Sequence, residues 1–126
     1  MRTIKFRGKS LETDDWVYGF LADGNLICTW DNRRNCHEVL STTVGQFTGL
    51  TDKNGKEIYE GDVIRINLTD GSTNKSSIFW NNRRGYWGCD IDIINHGVQL
   101  GLIDKVRIEV IGNIHDNPEL LKGGEQ

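Results

Sequence analysis

Alanine and proline are almost missing: Ala22 is the only alanine among 126 residues and Pro118 the only proline. A chain this poor in alanine has few of the residues that favour long helices. No stretch reaches the roughly twenty apolar residues that a membrane helix needs. Met1–Ser10 is basic with no apolar segment behind it, so the expectation is a chain that is neither exported nor anchored. Positive charge is not in excess either. Fifteen Lys and Arg face 18 Asp and Glu, a formal net charge of −3, so net charge gives nucleic-acid binding no support. Three cysteines (Cys28, Cys36, Cys89) are an odd, unevenly spaced set without a Cys-x-x-Cys knuckle. That pattern disfavours both a secreted disulfide framework and a zinc site, and predicts inert thiols in a reduced cytoplasm. Phosphate loops ending in Gly-Lys-Ser/Thr and Gly-x-Ser-x-Gly nucleophile turns are absent too, which excludes two large enzyme classes.

What is plentiful is glycine, with 15 residues, alongside clustered asparagine and aspartate. These are turn formers, and between them lie short runs with a period of two. In Val63–Leu68 the residues Ile64, Ile66 and Leu68 share a face opposite Arg65 and Asn67. Across Val106–Ile114 the apolar positions Val106, Ile108, Val110 and Ile114 alternate with Arg107, Glu109 and Asn113. Ile4 and Phe6, then Leu26, Cys28 and Trp30, then Trp87, Cys89, Ile91 and Ile93 mark further strands. Asp23-Gly24, Asn54-Gly55 and Asp70-Gly71 accept the positive φ of tight hairpins, so the strands form a meander. Gly85 and Gly88 predict bulges or the coiling of a small barrel. Helix is confined to a turn at Pro118–Lys122, capped by Asn117, and a weaker candidate at Cys36–Ser41.

The fold class expected is therefore mostly β: small, antiparallel and barrel-like, with the barrel in Glu60–Ile114 and a short C-terminal helical turn. Residues 1–126 read as one domain, with a polar break near Leu50–Lys56 allowing two β lobes at about 1–50 and 57–121. Folding a chain of this length buries roughly two-thirds of its extended surface, enough for a core.

The segment Val44-Gly-Gln-Phe-Thr-Gly-Leu-Thr-Asp-Lys-Asn-Gly-Lys-Glu-Ile-Tyr-Glu-Gly-Asp-Val-Ile64 and the ending Glu109-Val-Ile-Gly-Asn-Ile-His-Asp-Asn-Pro-Glu-Leu-Leu121 resemble the YopX family of phage and prophage proteins. Ile4-Lys-Phe-Arg-Gly8 and Trp16-Val-Tyr-Gly19 resemble that family's start, so the similarity spans nearly the whole chain. The resemblance implies a small, mostly β protein in the cytoplasm of a bacterial host. It implies no activity and supplies no catalytic or binding residue. The step from Glu60-Gly61-Asp62 into the Ile64 strand also looks like the way SH3-like barrels begin a strand, an analogy of fold alone.

Candidate chemistry is sparse. His37, His96, His115, Asp116, Asp90 and Asp92 are the acid–base and metal-binding residue types present, and no motif joins them. His115 and Asp116 read as a turn held by side-chain hydrogen bonds. Asp90 and Asp92 share a strand face that could hold a divalent ion, a pattern that any solvated face also shows. The most specific constellation is an internal echo: Trp30-Asp31-Asn32-Arg33-Arg34 and Trp80-Asn81-Asn82-Arg83-Arg84. Both read as hairpin tips with paired arginines and a flanking tryptophan, and Tyr86 and Trp87 follow the second. Guanidinium forks bind phosphate and aromatic faces stack on bases, so Arg33, Arg34, Arg83, Arg84, Trp30 and Trp80 are the candidate nucleic-acid-binding residues, assisted by Arg2, Lys5, Arg7 and Lys9. The bland alternative makes Trp30 and Trp80 barrel-capping core residues and the arginines ordinary turn charges.

The functional expectation is a non-enzymatic accessory protein that acts by binding a host or phage protein and self-associates as a homo-oligomer. It has no catalytic residue, cofactor, metal or membrane partner. The alternatives are a nucleic-acid-binding module built on the arginine tips, and a metal-dependent hydrolase.

Overall fold

A computed structural model describes residues 4–29, 35–91 and 96–121. The chain is mostly β and antiparallel, in two compact units that divide between Gly49 and Leu50.

In the first unit β1 (Phe6–Lys9), β2 (Trp16–Asp23), β3 (Leu26–Cys28), β4 (Cys36–Glu38) and the start of β5 (Gly45–Thr51) pair in the order β4-β3-β2-β1-β5. Val17, Ile27 and Val39 form its buried core, backed by Phe6, Leu21 and Val44. Arg7 is buried as well, its guanidinium 4.5 Å from the Trp16 ring centroid, where the ring face offsets part of the cost of removing the charge from water. Cys36–Ser41 is not helical: Cys36–Glu38 is β4 and a 3-10 turn follows at Ser41–Thr43. Pairing with β3 decides this, in the register Leu26↔Glu38, Ile27↔His37 and Cys28↔Cys36.

That register also corrects the expectation of free thiols. Cys28 and Cys36 are joined by a disulfide, because the hairpin sets them side by side. Cys89 alone is a free cysteine, and it is buried.

The second unit follows from the end of β5 through a turn to β6 (Glu57–Tyr59), β7 (Asp62–Asn67), β8 (Thr73–Ser77), β9 (Phe79–Asn81), β10 (Tyr86–Cys89), β11 (Val98–Gln99) and β12 (Ile108–Asn113). Three-residue 3-10 turns lie at Leu100–Leu102, Lys105–Arg107 and Pro118–Leu120. Two three-stranded sheets result, β12-β7-β8 and β11-β10-β9. Ile58, Ile64, Ile66, Ile78, Cys89, Leu100 and Ile108 make the core. Burying each isoleucine contributes roughly 1.5–3 kcal/mol, which explains why β7 follows its alternation with Ile64 and Ile66 in and Arg65 out.

No closed barrel or SH3-like closure forms among the described residues. The strands stay in two separate three-stranded sheets, and β12 is bulged between Val110 and Gly112. The bulge inserts one residue and so reverses the alternation beyond it. Asn113, expected outward, is buried, whereas Ile114 is exposed. Val106 lies before β12 in a 3-10 turn and is exposed too. Asn117 precedes Pro118 as expected but does not cap the turn; its side-chain oxygen accepts from the Asn113 N–H at 3.3 Å. Lys122 lies outside the described residues.

Candidate binding site

The β9–β10 hairpin carries one of the two arginine tips. Asn81 holds it from both ends: its carbonyl accepts from the Gly85 N–H at 2.7 Å and its side-chain oxygen from the Arg84 N–H at 3.0 Å. Gly85 has φ +75°, a left-handed value that glycine adopts without penalty. Gly88 has close packing instead, since a Cβ there would sit 3.1 Å from the Phe79 ring, which would have to move by a few tenths of an ångström. The tip is thus fixed by its own sequence, and Arg83 and Arg84 extend from it, exposed and without an ion pair among the described residues.

Beside the tip lies a depression of about 570 Å³ lined by both arginines with Asn81, Tyr86, His96, Gln99 and Leu102. Its wall is pinned by polar contacts. The Tyr86 hydroxyl donates to the Gly97 carbonyl at 2.9 Å, and the Gly97 N–H donates to the Asp90 carboxylate at 2.8 Å. The same carboxylate lies 3.5 Å from His96 Nδ1. The volume falls within the range of ordinary small-ligand pockets. Its chemistry is cationic and amide-bearing, which suits an anion attached to a planar polar group.

Trp80 is 44% exposed and stands edge-on to Trp87, ring centroids 4.9 Å apart, so it does not cap a core. The register Trp87↔Trp80 and Tyr86↔Asn81 puts the two tryptophans on the face opposite Asn81 and Tyr86. The aromatic ring of the depression is therefore Tyr86.

The first tip, with Trp30, Arg33 and Arg34, lies outside the described residues, as do Arg2 and Asp92. The other cations expected to assist are engaged elsewhere. Arg7 is buried against Trp16, Lys9 lies 3.7 Å from Asp14, and Lys5 sits over the Phe47 ring. His115 and Asp116 form a turn: both backbone N–H groups donate to the Asn113 side-chain oxygen, at 3.0 and 2.9 Å. Among the described residues no group of three His, Cys, Asp or Glu converges as metal ligands. Cys89 is held as a thiol, its pKa pushed up to about 12 by burial and by the neighbouring Asp90 charge.

One important carboxylate escaped the sequence reading. Asp52 is 1% exposed and accepts three backbone hydrogen bonds, from Asn54 and Lys56 on one oxygen and Val110 on the other, all at 2.9 Å. Burial pushes its carboxyl up, but the Val110, Lys56 and Asn54 N–H groups and the Lys56 charge together outweigh burial and hold it below the usual value. Aspartate two residues before Asn54-Gly55 is a turn signal. Nothing local announces the bond to Val110, 58 residues away.

The profile of the family described as YopX protein matches residues 5–122 of this chain. The chain belongs to the YopX family. The crystal structure of protein EF1440 from Enterococcus faecalis is similar to this chain, 25% identical with a TM-score of 0.57, the match covering 97% of this chain and 100% of that one. A comparison with curated proteins finds no match. This YopX chain contains no helix among its described residues long and apolar enough to cross a membrane.

Proposed function

We propose that this YopX protein is a non-enzymatic binding protein, and that the Arg83–Arg84 depression takes single-stranded nucleic acid. The observation that carries the reading is that two arginines without carboxylate partners among the described residues share one depression with two side-chain amides and a tyrosine. Guanidinium groups take phosphate oxygens, amides of the Asn81 and Gln99 type read base edges, and a tyrosine face stacks on a base. Single strands fit better than duplex, because the depression is a local concavity rather than a helix or ribbon that enters a groove.

The test is fluorescence anisotropy with a labelled 12-nucleotide single strand across a salt series. Two phosphate contacts give a slope of log affinity on log salt of about −1.4, so affinity falls about sevenfold from 50 to 200 mM salt. Arg83→Ala with Arg84→Ala removes that share of the slope and weakens binding about tenfold. Absence of binding by the unsubstituted protein at 50 mM salt refutes the proposal.

Self-association is a second reading, favoured by Leu102 and Val106, which are 77% and 63% exposed in neighbouring turns. Light scattering decides it: a solution mass well above 14.3 kDa at micromolar protein supports it, and a monomer throughout refutes it.

A further inference from the structure

We infer that Cys28–Cys36 is a thiol–disulfide exchange site, opened by a dithiol that attacks the Cys36 sulfur. Three observations converge in the first unit. First, the bond occupies a non-hydrogen-bonded pair of the β3–β4 ladder. The Thr29 N–H donates to the Asn35 carbonyl and the Val39 N–H to the Asn25 carbonyl, so the hydrogen-bonded pairs alternate with Cys28↔Cys36, where side chains approach most closely. The backbone thus keeps its hydrogen bonds whether the sulfurs are joined or apart.

Second, the two sulfurs differ in access. Cys28 is 3% exposed, and β2 is so close that a Cβ on Gly19 would overlap the Cys28 carbonyl. Cys36 is half-buried and lines a pocket of about 250 Å³ with Ser10, Glu12, Leu26, His37 and Glu38. A small thiol can occupy that pocket and reach Cys36, whereas Cys28 is shielded by strands. Third, β4 is three residues long and ends the strand order of its sheet, and the bonds from the Leu11 N–H to the Glu38 carbonyl and across the Ser10–Val39 bridge hold its Glu38 end rather than the Cys36 end.

The chemistry balances as ordinary exchange. A thiolate of the dithiol attacks Cys36 Sγ, and the S–S bond breaks with its electron pair leaving on Cys28 Sγ, which then takes a proton. The mixed disulfide on Cys36 is resolved when the second thiolate of the reagent attacks the reagent's own sulfur, releasing Cys36 as thiolate and the reagent as a disulfide. Two electrons and two protons pass from the dithiol to the protein. Access rather than leaving-group quality selects Cys36 as the sulfur attacked.

The test uses the full chain purified in air, alkylated without reductant under denaturing conditions and digested with trypsin. Arg33 and Arg34 lie between the two cysteines, so their peptides stay together only through the bond. The expected result is one linked peptide pair, and its absence overturns the proposal. Native protein is then exposed to millimolar dithiothreitol and quenched with N-ethylmaleimide at intervals. Opening within minutes, with the circular-dichroism spectrum retained, supports the site. A bond that opens only in denaturant refutes it. Finally, Cys36 in Cys28→Ser is expected to react with a chromogenic disulfide at least about tenfold faster than Cys28 in Cys36→Ser. Equal rates in folded variants refute the assignment of Cys36. If either variant fails to fold, the dithiothreitol series on the unsubstituted protein decides the proposal.

Discussion

Asp52 offers the sharpest perturbation, because its two oxygens serve three N–H groups that have no other acceptor described. Asn54 and Lys56 are exposed in the turn, so water takes over those two bonds in Asp52→Ala at a cost of roughly 0.5 kcal/mol each. The Val110 N–H is half-buried in β12 and remains an unsatisfied donor, which costs about 1–3 kcal/mol. The sum is about 2–4 kcal/mol. With an m-value of about 2 kcal/mol per molar urea, the midpoint of the second unit falls by about 1–2 M. Asp52→Asn fares little better, since its new NH2 group meets an N–H on one side. The sign with pH follows from the depressed carboxyl: the charged form is favoured in the folded state, so its stabilisation is complete above the unfolded value of 3.8 and is lost as pH falls through the lower folded value. The gap between the unsubstituted protein and Asp52→Asn therefore narrows below about pH 3.8. Urea titrations followed by tryptophan fluorescence at pH 7 and pH 3 measure both effects. A change under 0.5 kcal/mol for Asp52→Ala at pH 7, or a gap that widens in acid, refutes the account of this carboxylate.

Gly19→Ala places a methyl group on the Cys28 carbonyl and is expected to cost the first unit about 3 kcal/mol or more, visible as a lowered thermal midpoint. In Gly112→Ala the new Cβ would lie 2.6 Å from Asn117 Oδ1 and 2.7 Å from Leu120 Cδ1, so the Pro118 turn must shift, at about 1–2 kcal/mol in the same assay. Asn113→Ala removes the acceptor for His115 and Asp116, and faster amide exchange at those two positions, with β7 unchanged, is the expected signature. Reduction of Cys28–Cys36, whose sequence separation is 8, removes about 2.5 kcal/mol by the chain-entropy relation, read as a lower urea midpoint of the first unit.

Features fixed by neighbours in sequence were legible, and features fixed by distant partners were not. The β7 alternation and the glycines of the Asn54-Gly55 and Asp70-Gly71 turns, at φ +79° and +90°, follow from residue type alone. At Gly49 a Cβ would meet nothing within 4 Å, so its φ of +87° rather than crowding selects glycine. Asn113 was assigned to the wrong face because a bulge resets the count, and bulges depend on the partner strand. The helical reading of Cys36–Ser41 failed for the same reason: three residues carry too little pattern to outweigh pairing with β3. An odd cysteine count concealed the disulfide, since pairing two leaves one over. For the candidate site the sequence named Arg83, Arg84 and Trp80, but the side of the ribbon each occupies required the β9–β10 register, and His96, Gln99 and Leu102 arrive from elsewhere in the chain.

Cys89 has a practical use that follows from its burial. A thiol buried in the same cluster as Ile64, Ile66 and Ile108 and kept protonated across the physiological range is shielded from maleimide for as long as the second unit stays shut. Its labelling rate is therefore a native clock for transient opening of that half of the molecule, with no probe to engineer.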